Sequence, residues 1–183
     1  MSDDIYTIGE SIAIFGCIDD KMALNVCSLL DDHLELERDK AEPKSIKIVI
    51  SSYGGEMPSM LAIINKMREL QECGICVATE IVGCAYSAAM FVAAAGTTCL
   101  RTAKPNSLMM IHAPSAYIGW VTADQYDVEK DRVVYWTDVI INLLSSISGK
   151  TKKEVREDLE RDLYLTPDAA MGYGKHGLID EVA

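Results

Sequence analysis

The segment Gly83-Cys84-Ala85-Tyr86-Ser87-Ala88-Ala89-Met90 sets one small hydroxyl residue between an apolar run, Gly74 to Val82, and a run of small helix formers, Ala88 to Ala95. A strand before Ser87 and a helix after it place the hydroxyl at a helix N-terminus. Unpaired N–H groups and the positive end of the helix dipole converge there, which suits a developing oxyanion. Two readings are open to such a serine: a nucleophile, or an N-cap, for which serine is a preferred residue.

A serine nucleophile needs a base to take its proton, and that imidazole needs a carboxylate to orient it. The chain has three histidines. His112 closes the apolar strand Leu108-Met109-Met110-Ile111, and like Ser87 it stands at a C-terminal strand end, where sites collect in open α/β sheets. The alternative for His112 is a histidine hydrogen-bonded at a strand end. His33 falls within an amphipathic helix as a surface or packing residue, and His176 lies in the Gly-rich segment Gly172 to Gly177. Asp158, Asp162 and Asp168 are all placed to serve as the carboxylate, and spacing does not choose among them. Gly54-Gly55 follow a β-rich segment through Ser51-Ser52-Tyr53, which reads as a flexible turn. That turn either presents N–H groups to a substrate carbonyl or is purely structural. No Gly-Lys-Ser/Thr follows it, so it is not a P-loop.

The elements that must position these groups alternate. Ser11 to Ile18 reads as a strand, Lys21 to Lys40 as a helix capped by Asp19 or Asp20, and Ser45 to Ile50 as a strand. Met57 to Glu72 reads as a second amphipathic helix, and the Ser87 strand and helix follow. Such alternation predicts an α/β fold built from parallel βαβ units. Ala113 to Trp120 reads as a loop or extended arm. Thr122 to Ser148 reads as a long helix, either a protruding assembly surface or a buried core helix, stopped by Gly149. Thr151 to Leu159 is expected to form a last helix, and Gly177 to Asp180 a closing turn.

With 183 residues, the chain reads as one domain, residues 1–183. A net charge of -11 argues against a nucleic-acid surface, and no apolar run is long enough to span a bilayer. No secretory signal is visible, and six scattered cysteines fit reduced thiols in a cytosol. Cys73 and Cys76 have redox-type spacing, but they lie between a helix and a strand and no second pair supplies zinc ligands. No metal or cofactor is expected.

Four motifs in order make the chain resemble the proteolytic subunit of the Clp protease, the ClpP family. Ser51-Ser52-Tyr53-Gly54-Gly55 is similar to the family's Asn-Ser-Pro-Gly-Gly, and Gly83-Cys84-Ala85-Tyr86-Ser87 to its Gly-Gln-Ala-Ala-Ser. Pro105 to Pro114 is similar to its Pro-Asn-Ser-x-x-Met-Ile-His-x-Pro, and Glu160-Arg161-Asp162 with Leu163 to Thr166 and Gly177 to Asp180 forms the fourth. The resemblance implies a ClpP/crotonase-like repeated β-β-α superhelix with a protruding handle helix, the handle region running over about 113–150. It implies Ser87 as nucleophile, His112 as base and Asp162 as orienting carboxylate. Backbone N–H groups of Gly55 and Ala88 would form the oxyanion hole, Gly54 and Tyr86 would touch substrate, and Arg161 would pair across rings. Tyr117 to Val121 would lie near the substrate-binding arm.

Implied partners are polypeptide substrates, further copies of the chain in two stacked heptameric rings, and a Clp ATPase. The implied setting is a soluble, cytoplasmic hydrolase. Two departures flank the site. Tyr53 stands where the family has proline, removing a rigid φ constraint, and Tyr86 replaces a small residue and is expected to narrow the S1 side or shield Ser87. Lys47, Val49, Thr102 and Lys104 occupy the family's apolar ATPase-docking positions, so weakened or altered docking is expected. The chain begins near Asp4-Ile5-Tyr6 and ends at Ala183, which is expected to omit most of the pore-lining N-terminal segment and any tail. Two further readings remain: a non-catalytic or regulatory ring subunit, against which the intact triad argues, and a crotonase-type acyl-CoA enzyme.

Overall fold

Asp19 ends the first long strand and turns the chain into a helix by accepting the Met22 N–H at 2.8 Å. The computed structural model describes residues 6–115, 119–120 and 122–183. In order, these are β1 (Thr7–Ile8), β2 (Ser11–Ile18), α1 (Asp20–Glu37), β3 (Ile46–Gly55), α2 (Met57–Glu72), β4 (Val77–Tyr86) and α3 (Ala88–Ala94). Then come β5 (Arg101–Ala103), β6 (Leu108–Ile111), α4 (Ala123–Ser148), α5 (Lys152–Asp158), β7 (Leu163–Leu165), α6 (Pro167–Met171) and β8 (Glu181–Val182). The α/β class is as expected. Apolar periodicity does not reveal β1, β5, β7, β8 or α6, which are too short to show a period.

The sheet runs β1-β2-β3-β4-β5-β8, parallel except for β1 against β2. Strand β4 forks it. Thr79 to Ile81 pair with β5, whereas Cys84 to Tyr86 pair with β6. The switch is made by the turn Lys104-Pro105-Asn106-Ser107, closed by Ser107 N–H and Oγ donating to the Lys104 carbonyl at 3.0 and 2.6 Å. Strand β7 then pairs antiparallel with β6, so the fork carries its own small sheet.

Helix α3 is buried along its whole length. Its alanines let the backbone pass close to β3 and β4, which a helix of larger side chains could not do. The apolar stripes of α1 (Val26, Leu30, Leu34) and α2 (Met60, Ile63, Ile64, Met67) meet Ile14, Ile48, Ile50 and Ile81 of the sheet to form the core. Helix α4 resolves the two readings of the long helix: its buried residues, Ile140, Ile141, Leu143, Leu144 and Ser148, all lie in its second half. The first half projects, with Tyr126, Val128, Val134 and Tyr135 exposed. Gly149 stops the helix in the left-handed region at φ 71°. Tyr117, Ile118 and Val121 of the expected arm lie outside the described residues.

The C-terminal segment is locked by a buried ion pair. Arg101 donates to both carboxylate oxygens of Asp180, from Nε at 2.9 Å and from a terminal nitrogen at 2.6 Å, and its own N–H adds a third bond at 3.0 Å. Burial alone would raise the Asp180 carboxyl, but these bonds outweigh it and hold the group below the ordinary carboxylate value. Asp180→Ala leaves a guanidinium that is 3% exposed without its counter-ion. It is expected to lower the unfolding free energy by about 3–5 kcal/mol in a denaturant titration. A folded-state value below the unfolded one means stability that is present above about pH 4 and lost as acid takes the solution through the folded value. Acid unfolding of Asp180→Asn should therefore be shallower than that of the parent across that window.

Candidate active site

The parallel register of β4 and β6 opposes Tyr86 to Met110, and the next residue, Ser87, donates its N–H to the Met110 carbonyl at 2.8 Å. Two residues beyond Met110 comes His112. On the other side, β7 opposes Leu163 to Ile111, which sets Asp162 beside His112 at the same edge. Three residues far apart in the chain therefore gather because three strand ends meet at one end of the fork.

His112 Nε2 lies 2.7 Å from Ser87 Oγ. Its Nδ1 lies 3.8 Å from Asp162 Oδ1, an ion-pair distance beyond hydrogen-bond reach, with the Asp162 side chain 59% exposed. The other two candidate carboxylates are engaged elsewhere or remote. Asp158 is bound by Lys150 and accepts the Tyr173 hydroxyl at 2.6 Å, while Asp168 sits in the first turn of α6.

Ser87 occupies the cap position of α3 but its side chain makes no cap hydrogen bond. The N-cap reading of the Ser87 side chain is thus corrected. Its backbone is in an uncommon region for a residue with a Cβ, φ 51° and ψ -125°. Such a conformation costs about 1–3 kcal/mol and persists only where the surroundings enforce it. That conformation directs Oγ to His112 instead of back along the helix.

Gly54 and Gly55 are not a flexible turn but the last two residues of β3, paired with Cys17 and Ile18. Ser52 Oγ pins them, accepting the Gly54 N–H at 3.0 Å while donating to the Gly16 carbonyl at 2.5 Å. Gly55 lines a cavity of about 500 Å³ with Ser87, His112, Met57, Val133 and Trp136, and Arg132 and Glu56 also reach it. Ala88, next to the nucleophile candidate, is buried at the start of α3. Neither Gly54 nor Tyr86 is among the residues lining this cavity. The Tyr86 ring packs against Tyr53 and Tyr164. Arg161 is exposed. Val133 and Trp136, spaced to share one helix face, were legible as helix residues but not as cavity lining, because nothing local says that α4 leans over Ser87.

The comparisons with known proteins agree with this architecture. The sequence profile of the Clp protease family matches residues 4–183. The chain belongs to the Clp protease family. It is 34% identical over 182 residues to the ATP-dependent Clp protease proteolytic subunit 3 of Synechococcus sp. (strain CC9902), covering 98% of this chain and 86% of that one. It is 34% identical over 174 residues to proteolytic subunit 2 of Frankia casuarinae, covering 94% and 75%. Proteolytic subunit 1 of Chlamydia felis is 36% identical over 139 residues, covering 76% and 65%. Among the described residues no cluster has metal-binding composition, and no helix is long and apolar enough to cross a membrane.

Gly54 shows how closely the segments around Ser87 are packed. It has φ +96°, and a Cβ there would stand 2.6 Å from the Tyr86 carbonyl oxygen and 2.8 Å from Ser87 Cβ. Gly9 also has positive φ, +61°, with nothing within 4 Å. Gly54→Ala is expected to cost roughly 2–4 kcal/mol in thermal or denaturant unfolding, against about 1 kcal/mol for Gly9→Ala. Equal losses would mean that strain at φ, and not the contact with Ser87, sets the requirement.

Proposed function

We propose that this chain is a serine endopeptidase that hydrolyses peptide bonds of unfolded polypeptides or peptides inside an oligomeric chamber, through Ser87, His112 and Asp162. The observation that carries this reading is the 2.7 Å bond between His112 and a serine whose φ of 51° turns its hydroxyl away from helix capping. Ser87 Oγ attacks the substrate carbonyl carbon while its proton passes to His112 Nε2. The carbonyl electron pair moves to oxygen, held by the N–H groups of Gly55 and Ala88. Collapse expels the amine, which takes the proton from His112, and an acyl-Ser87 ester remains. Water, giving its proton to His112, hydrolyses that ester and restores the serine. Asp162 faces the Nδ1 edge of the ring and draws closer as the imidazolium forms, since such contacts are long in the free enzyme. Met57, Val133 and Trp136 offer an apolar wall to a substrate side chain.

The chamber we propose is two stacked heptameric rings in the cytoplasm, joined through α4, with Arg161 pairing across them; membership of the Clp protease family supports this reading. The exposed Tyr126, Val128, Val134 and Tyr135 on the projecting half of α4 support that use. A regulatory, non-catalytic subunit is disfavoured by the retained Ser87 and His112 contact, and an acyl-CoA enzyme by the family match. In a purified sample, a fluorophosphonate is expected to label Ser87, and Ser87→Ala to abolish both labelling and peptidase activity. Asp162→Asn should lower kcat by roughly 10³–10⁴-fold with labelling still confined to Ser87. Hydrolysis unchanged in Ser87→Ala would remove this mechanism.

Docking of a Clp ATPase at Lys47, Val49, Thr102 and Lys104 is proposed to be weak. Glu80 bridges the two lysines, accepting from Lys47 at 2.9 Å and Lys104 at 2.8 Å, and Val49 is buried beneath them. Hydrogen bonds from Lys104 and Lys47 hold the Glu80 carboxyl below its ordinary value, so the bridge stays charged into mild acid. An apolar anchor seated there would have to strip water from this cluster. Replacing Lys47, Glu80 and Lys104 together with leucine is expected to strengthen binding of a standard Clp ATPase at least about ten-fold by surface plasmon resonance. Tight binding by the parent chain that the triple substitution weakens would overturn the docking proposal.

A further inference from the structure

Three tyrosines lie in one row across the solvent face of the sheet, and each is joined to a different part of the site. Tyr53 stands two residues before Gly55, Tyr86 immediately before Ser87, and Tyr164 two residues after Asp162. The Tyr53 and Tyr86 ring centroids are 5.5 Å apart at 66°, and those of Tyr86 and Tyr164 are 5.8 Å apart at 87°. Both contacts are edge-to-face, the arrangement that aligns a positive ring edge with a negative ring face. Met110 lies between Tyr86 and Tyr164 in the strand register, and its carbonyl is the one that accepts the Ser87 N–H.

We infer that Tyr53, Tyr86 and Tyr164 form an aromatic clasp that holds the Gly55, Ser87 and Asp162 segments in register, making these tyrosines positioning residues for the reaction. The inference rests on the serine endopeptidase reading. No backbone hydrogen bond links β3 directly to β7, because β4 and β6 intervene. The ring row therefore spans strands that the ladder joins only through neighbours. Two of the rings are also the two departures from the family motif beside the site, and they touch each other. Tyr53 removes the φ restriction of a proline, and its contact with Tyr86 supplies a restraint from outside the backbone. That restraint bears on Gly54, which has no Cβ and abuts the Tyr86 carbonyl and Ser87. Tyr53 and Tyr164 are 77% and 53% exposed, so neither is explained as a core-filling residue. Burial, then the Cys84 thiol and the two other phenols, push the Tyr86 phenol above its ordinary value, so the central ring stays uncharged near neutral pH.

The test uses the assembled particle, a fluorophosphonate and a short fluorogenic peptide, with native mass recorded for every variant. Tyr53→Ala, Tyr86→Ala and Tyr164→Ala are each expected to lower kcat and the rate of fluorophosphonate inactivation about three- to ten-fold, with KM held within about two-fold. Tyr53→Phe and Tyr164→Phe keep the ring edges and should recover most of that loss. The Tyr53→Ala/Tyr164→Ala double variant should fall less than the product of the single effects, since both act through Tyr86. If Tyr86→Ala does not fold, Tyr86→Leu keeps the apolar bulk while removing the ring and reads the same effect. Alanine variants that inactivate as fast as the parent at unchanged mass would overturn the clasp, as would phenylalanine variants as slow as the alanine ones. Ser87→Ala run in parallel separates the two layers: labelling that survives it sinks the nucleophile reading itself, whereas its loss beside unaffected tyrosine variants sinks only the clasp.

Discussion

Strand β6 is held between β4 and β7, and the site depends on that placement. Its parallel pairing with the end of β4 sets His112 beyond Ser87, and its antiparallel pairing with β7 brings Asp162 back to the same edge. A one-residue slip in either ladder would turn the whole strand over, sending Met109 and Ile111 from the core to the surface. The register is thus defended by the burial of those two residues, both fully buried. The catalytic candidates inherit their alignment from a hydrophobic constraint that they do not themselves supply.

The same logic explains how the strained serine is tolerated. Its N–H is committed to Met110, its carbonyl accepts the Met90 N–H at 3.0 Å, and α3 behind it is packed on every side. Gly54 closes against it from β3 with no room for a Cβ. Strain of this kind survives because relieving it would disturb a helix of alanines and a paired strand at once. The carboxylate is the loosest of the three groups. It is exposed and 3.8 Å from the imidazole, so the least enforced part of the arrangement is the residue that precedes a strand of only three residues.

The solvent face of the sheet carries two unlike ends. Near Lys47, Glu80 and Lys104 it is a network of charges, in which each lysine shares one carboxylate. Near the site it is aromatic, with Tyr53, Tyr86 and Tyr164 in a row. The alternation of side chains along β3 and β4 delivers both from the same pleat, while the opposite face is buried and mostly apolar, with Ser52 and Thr79 hydrogen-bonded within it. One face of one sheet thereby carries a charged cluster at one end and an aromatic row beside Ser87 at the other.

Much of this was legible in the chain. Helices α1, α2, α3 and α4 announce themselves through apolar stripes, Asp19, the alanine run and Gly149, because helix signals are local and repeat every few residues. Ser87 and His112 were legible as a pair, since each follows an apolar strand. The short strands were not legible, because β5, β7 and β8 have only 3, 3 and 2 residues and owe their existence to neighbours distant in sequence. Glu80 read as a strand residue and nothing more, and Tyr164 carried no signal until its ring was placed against Tyr86. By itself the sequence determined the residue types, the element types and the alternation that makes an α/β fold, all of which depend on local periodicity and capping. Only the tertiary structure decided that Asp162 and not Asp158 approaches His112, that Ser87 gives up capping, and that three tyrosines meet, because each depends on strand register and on contacts between segments far apart in the chain.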